Sequence, residues 1–285
     1  MNKDEKIISQ MINRQNNQAR EAFEGYSPFE MYNMVYDPFG PYSPMELRTL
    51  PDEEYEEIHL FANYRYLVQR IAEAGEIKLT AAGYLPPALC RDIYRQGNIK
   101  DYFIETGYTK SFRENDTEIL NLIHVLTEMT SVVKKRYNRL SLTAGGLRIY
   151  RNNALLFEDF FRTYTLKYNW GYQDGYHNEE IGRTGFLFSL FLLSKYGGIP
   201  RSPEFYADLY FKAFPALAVQ EPDMSVLSYI NAYNIRSIIR FMAYFHFCSV
   251  DKEFYIGVKE IQKTPVFEKL FVFHPHIDYS DTVMA

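Results

Sequence analysis

The stretch that decides the fold is Val132–Gly146, "VVKKRYNRLSLTAGG". An apolar pair leads into a basic run, then the turn-prone Tyr137-Asn138, then Leu140 and Leu142 in alternation. That pattern predicts a short β-hairpin. Its last five residues, Leu142-Thr-Ala-Gly-Gly146, repeat the form of Leu79-Thr-Ala-Ala-Gly83 some sixty residues earlier. Ahead of the hairpin, "TEILNLIHVLTEMT" has the apolar spacing of an amphipathic helix. Helix, basic hairpin, then Leu-Thr-x-x-Gly opening a new helix is the way many winged-helix domains end. The threonine suits a helix cap, and the glycine permits close approach of strand and helix.

The first copy follows the helix "HLFANYRYLVQRIAEAG" directly and leads into "LPPALCRDIYRQ". In a winged helix the first strand stands there and pairs with the wing. The two copies therefore read as strands one and three of one small sheet, with "GNIKDYFIETGYTKSFREND" inserted before the third helix. Two tandem degenerate winged helices, or coincidence, are the alternatives.

Working outward, residues 3–22 read as a polar helix with a narrow apolar stripe. Ser27-Pro-Phe-Glu30 and Ser43-Pro-Met-Glu46 both match a capping box with proline at the first helical position. The acidic "PDEEYEE" is expected to open the long helix ending near "AEAG". After residue 151 the pattern is helical almost throughout, with cap-plus-proline starts at Ser202 and Thr264. "NWGYQDGYHNEE" reads as a loop. The expected fold class is mainly α: a helical N-terminal arm (1–58), a winged-helix-like domain with a small β-sheet and wing (59–151), and a C-terminal helical domain (152–285).

Charge is unevenly placed. Residues 1–58 hold 5 Lys/Arg against 12 Asp/Glu, residues 59–151 hold 14 against 9, and residues 152–285 hold 12 against 15. The only basic segment is the one with both repeats. The total of −5 excludes a uniformly basic nucleic-acid coat. Aromatics at 17% imply a core rich in rings. Two cysteines, Cys90 and Cys248, give no disulfide framework, and Cys90 reads as an inert core thiol. The charged "MNKDEKIISQ" lacks a signal-peptide core, and the apolar run at 184–198 is too short to span a bilayer. The expected setting is cytoplasmic, with no membrane and no cofactor.

The segments "GYSPFEMYNMVYDPFGPYSP" (25–44), "IKLTAAGYLPPAL" (77–89), "VVKKRYNRLSLTAGG" and "KYNWGYQDGY" (167–176), in this order, resemble a family of bacterial proteins common in Bacteroidetes-like genomes. Related segments accompany plasmid-borne ORF-3-type and SEC-C-type modules. The resemblance covers roughly residues 25–195. It implies a winged-helix-like centre and transfers no activity. The SEC-C cysteines are missing here, so it implies no zinc site.

The leading functional candidates are the wing cations Lys134, Lys135, Arg136 and Arg139, with Arg148 and Arg151 just beyond. Such side chains contact phosphate and release counterions. The preceding helix would then read bases. It offers Asn121, His124, Thr127 and Glu128, but no arginine or lysine, which is a poor set for base recognition. The expectation is therefore a nucleic-acid-binding regulatory or accessory protein, with DNA as the partner touched by the wing. The alternative is a protein-interaction module, with a protein partner or second copy bound through the C-terminal helices. A third reading places an acid–base site on Asp174, His177, Glu179 and Glu180 beside Trp170. His274, His276, Asp278 and Asp281 form a weak metal candidate, read here as an ordinary tail.

Overall fold

The computed structural model describes residues 3–172, 174–218, 226–254 and 257–279. They are mainly helical with small sheets. The helices are α1 (Lys3–Asn17), α2 (Pro28–Tyr36), α3 (His59–Ala74), α4 (Pro87–Gln96), α5 (Tyr102–Glu105), α6 (Glu118–Met129), α7 (Gly146–Ile149), α8 (Asn153–Arg162), α9 (Phe186–Tyr196), α10 (Pro203–Ala213), α11 (Val226–Tyr233) and α12 (Pro265–Leu270). The strands are β1 (Met45–Leu47), β2 (Ile77–Lys78), β3 (Val133–Arg136), β4 (Arg139–Leu142), β5 (Cys248–Phe254), β6 (Gly257–Lys263) and β7 (Phe271–Phe273). No helix among the described residues is long and apolar enough to cross a membrane.

Local chemistry sets several helix starts as expected. Ser27 Oγ accepts from the Glu30 N–H, and the Glu30 carboxylate accepts from the Ser27 N–H at 2.8 Å, a complete capping box. Ser202 and Thr264 cap α10 and α12 from the residue before a proline. Ser43-Pro-Met-Glu46 does not open a helix. Its residues enter β1, which pairs antiparallel with β7, Met45 opposite Phe273 and Leu47 opposite Phe271. Long-range pairing there overrides the local signal. The long helix also starts later than its acidic lead suggests. Asp52–Glu57 forms a 3₁₀ turn and α3 begins at His59, where the Leu60 N–H donates to the Tyr244 carbonyl at 2.9 Å. The β5–β6 hairpin, inside a region read as helical, is a further departure.

The two Leu-Thr-Ala-x-Gly segments follow strands of one sheet, ordered β2-β4-β3. Ile77 faces Leu140, and Lys78 faces Arg139. The hairpin turns at Tyr137 and Asn138, both left-handed (φ 49° and 57°), which matches the twist of a tight two-residue turn. In the second copy Thr143 Oγ1 accepts from the Gly146 N–H at 2.8 Å and opens α7. A Cβ on Gly146 would lie 2.2 Å from the Val132 carbonyl oxygen, so only glycine fits there. The first copy closes a turn instead. Thr80 Oγ1 accepts from the Tyr84 N–H at 3.0 Å, and Gly83 takes φ 85°. That turn holds the hairpin tip, because Asn138 donates to the Thr80 carbonyl at 2.7 Å. One copy starts a helix and the other braces the β3–β4 hairpin through Asn138.

The core is dense in rings, as composition implied. Phe161 on α8 meets Phe157, Phe186, Phe241, Phe245 and Phe271 at centroid distances of 5.4 to 6.4 Å. Tyr55 and Phe61 reach Phe157, and Tyr64 stacks on Phe160 at 4.3 Å. Such pairs add about 0.5–1.5 kcal/mol each beyond area burial. Two helices widen into π-helical turns, Thr163–Lys167 after α8 and Asn234–Ala243 after α11. They dock on each other: Tyr164 donates its hydroxyl to the Arg240 carbonyl at 2.7 Å and stacks on Phe241.

Candidate nucleic-acid interface and an adjoining polar groove

Side chains alternate faces along a strand, so the register of the three-stranded sheet sorts its cations. Val133, Leu140 and Leu142 are buried and define the inner face. Lys135 is opposite Leu140 and shares that face. Lys134, Arg136, Arg139 and Lys78 fall on the outer face, and all four are exposed. Lys78, Arg139 and Arg136 stand directly opposite one another across β2, β4 and β3. Like charges in cross-strand positions repel. Glu76 pairs with Arg139, and the Arg136 guanidinium lies 5.0 Å from the Tyr137 ring centroid, which relieves part of that repulsion. Tyr137 is 83% exposed at the tip. Four cations against one paired carboxylate make this face strongly anion-attracting.

Arg148 lies on α7 and Arg151 just after it, outside the sheet; both are exposed, and Arg151 packs over Tyr150. Lys78 was missed by the sequence reading. It stands in the first copy's strand, and only the register brings it into the row.

Helix α6 does not present the expected base-reading set. His124 and Thr127 are buried, and Thr127 donates its hydroxyl back to the Ile123 carbonyl at 2.6 Å. The positions reaching its surface are Glu118, Asn121, Val125, Glu128 and Met129. None is a cation.

His124 instead joins a polar chain. Glu114, 4% exposed and set by the 3₁₀ turn Glu114–Asp116, accepts the Leu85 N–H on Oε2 at 2.7 Å. Its Oε1 meets His124 Nδ1 at 2.8 Å. On the other side, His124 Nε2 lies 2.8 Å from Glu128 Oε1, and Lys135 Nζ donates to that same oxygen at 2.8 Å. These four residues, with Gly83, Tyr84, Val125 and Met129, line a groove of about 410 Å³. Cys90 is close to Glu114. Burial, then that carboxylate, push its thiol up to about 12, consistent with an inert core thiol.

The 170–180 loop does not assemble an acid–base site. Trp170 is buried and donates to the Tyr164 carbonyl at 3.0 Å. Asp174 is held by Arg236, with Nε at 2.5 Å and a second nitrogen at 2.9 Å. The same guanidinium donates to the carbonyls of Asn178, Ile181 and Tyr176. Arg236 is fully buried and ties the loop to the second π-helical turn. His177 is exposed. Glu179 accepts from Asn169, and Glu180 pairs with Arg183 and Thr184.

The tail histidines are drawn to different partners. His276 Nδ1 meets the buried Glu30 at 2.6 Å, while His274 Nε2 lies 3.5 Å from Glu46. Asp281 lies outside the described residues. Among the described residues no three metal-ligating side chains converge.

No family model, curated protein or solved structure matches the chain.

Proposed function

We propose that the chain is a nucleic-acid-binding accessory protein that grips the phosphate backbone through the outer face of its three-stranded sheet. On this reading residues 59–151 form a winged-helix-like unit, in which α3, β2, α4, α6 and the β3–β4 hairpin follow the order of that fold. The observation that carries the reading is the exposed row Lys78–Arg139–Arg136 with Lys134 beside it. Side-by-side cations cost folding stability, and a polyanion recovers that cost on binding. Because α6 exposes no cation, binding is read as sequence-independent, through phosphates and the tip.

The test is fluorescence anisotropy with labelled duplexes of mixed sequence across a salt series. Three to four phosphate contacts give a slope of log K against log salt of roughly −3. Lys78→Glu/Lys134→Glu/Arg136→Glu should abolish binding, and Glu76→Gln should strengthen it. No binding at low salt discards the reading.

A second reading, contact with a protein, is favoured by one observation. Helix α1 leaves Ile7, Ile8, Met11 and Ile12 between 45% and 60% exposed on one side. Cross-linking that traps a partner at α1, with no affinity for nucleic acid, would support it.

A further inference from the structure

We propose that His124 and Glu128 chelate a divalent transition-metal ion at the mouth of the groove, with Glu114 as the positioning residue behind the imidazole. Both Glu114 oxygens face donors: the Leu85 N–H at 2.7 Å and His124 Nδ1 at 2.8 Å. A metal-binding imidazole carries its hydrogen on Nδ1, toward Glu114, and turns its Nε2 lone pair toward Glu128. Ligating histidines are commonly held this way, with a carboxylate fixing tautomer and ring angle.

Nε2 has no hydrogen-bond partner, although the His124 side chain is only 5% exposed. It stands 2.8 Å from Glu128 Oε1, one turn further along α6. The contact lacks hydrogen-bond geometry, and a metal cation shared between the two atoms would join them in its place. Metal bonds of about 2.1 Å meeting near a right angle span roughly 3.0 Å, close to the distance seen. The protein already places one cation there, since Lys135 Nζ touches the same carboxylate oxygen at 2.8 Å. A metal ion would displace that ammonium into the groove. One imidazole and one carboxylate favour Zn²⁺, Co²⁺ or Ni²⁺ over Mg²⁺ or Ca²⁺. The residues supply two ligands, and the groove of about 410 Å³ has room for the water molecules that complete the shell. This site stands independently of the nucleic-acid reading.

The test uses the metal-stripped, untagged full chain titrated with Co²⁺ and followed by visible absorption, then challenged with Zn²⁺. One Co²⁺ per chain, displaced by Zn²⁺, is the expected result. His124→Gln and Glu128→Gln should each weaken binding more than tenfold. Glu114→Gln should weaken it roughly 10–100-fold, because its amide would donate to Nδ1 and move the imidazole hydrogen to Nε2. Lys135→Met should tighten it by up to about fivefold through loss of the competing ammonium. Glu128 is partly exposed, so its variant decides the matter if the buried substitutions fail to fold. No spectral change at millimolar Co²⁺ would overturn the proposal. So would binding that survives both Glu128→Gln and His124→Gln, which would place the ion elsewhere, for instance at His274 or His276.

Discussion

Replacing Asp174 by alanine should cost about 3–5 kcal/mol of folding stability. The side chains of Arg236 and Asp174 are 0% and 2% exposed, and they meet through two parallel hydrogen bonds. Removing the carboxylate leaves a guanidinium held only by carbonyls, in a place water does not reach. Arg240, 3.7 Å from Asp174, loses part of its countercharge too and keeps Glu118 at 2.5 Å. Against a typical total of about 5–15 kcal/mol, that loss is a large fraction. The double variant Asp174→Leu/Arg236→Met removes both charges and should regain about 1–2 kcal/mol of the deficit, the carbonyls of Asn178, Ile181 and Tyr176 having lost their donor. Urea unfolding followed by Trp170 fluorescence measures both, since this sole tryptophan is buried beside Tyr164 and the loop. A loss below about 1 kcal/mol for Asp174→Ala, or a double variant as weak as the sum of the singles, would refute the reasoning.

Three further outcomes follow from the geometry. Gly146→Ala drives a Cβ to within 2.2 Å of a backbone oxygen and should cost about 1–3 kcal/mol by thermal melting. Glu30→Ala strands the donors of Ser27, His276 and Ile277 and should lower stability by about 2–3 kcal/mol, with faster amide exchange at Ile277. Burial, then the stacked His246 ring 4.0 Å away, hold the His59 imidazole down to about 4, below its ordinary 6.5. The fold thus favours the neutral ring. Its contribution is whole above pH 6.5 and is lost as pH falls toward 4, so His59→Gln should flatten urea midpoints across that window.

Much of the fold was legible because it rests on short-range chemistry. Ser27, Ser202 and Thr264 each cap a helix, with proline next and the N–H three residues on as donor. Tyr137-Asn138 announced its turn because few residues accept left-handed backbone. Ser43 carried the same signal as Ser27 and failed, because β7 claims Met45–Leu47 from the far side of the sequence. The four hairpin cations Lys134, Lys135, Arg136 and Arg139 were visible as a cluster, but not their division between two faces. Lys135 turns inward and Lys78 joins the outer row through a register that one strand alone does not reveal. Glu114 was hidden in what read as an insertion. The π-helical turns have no periodicity signature in the sequence, so the inward aim of Arg236 from such a turn was unreadable.

The β1–β7 pair also has a history during synthesis. Its partners are more than two hundred residues apart, so Met45–Leu47 emerges from the ribosome long before Phe271–Phe273 exists to meet it. Closure over so long a loop comes late. The clasp is therefore a contact of high sequence separation, the kind whose loop-closure entropy slows folding.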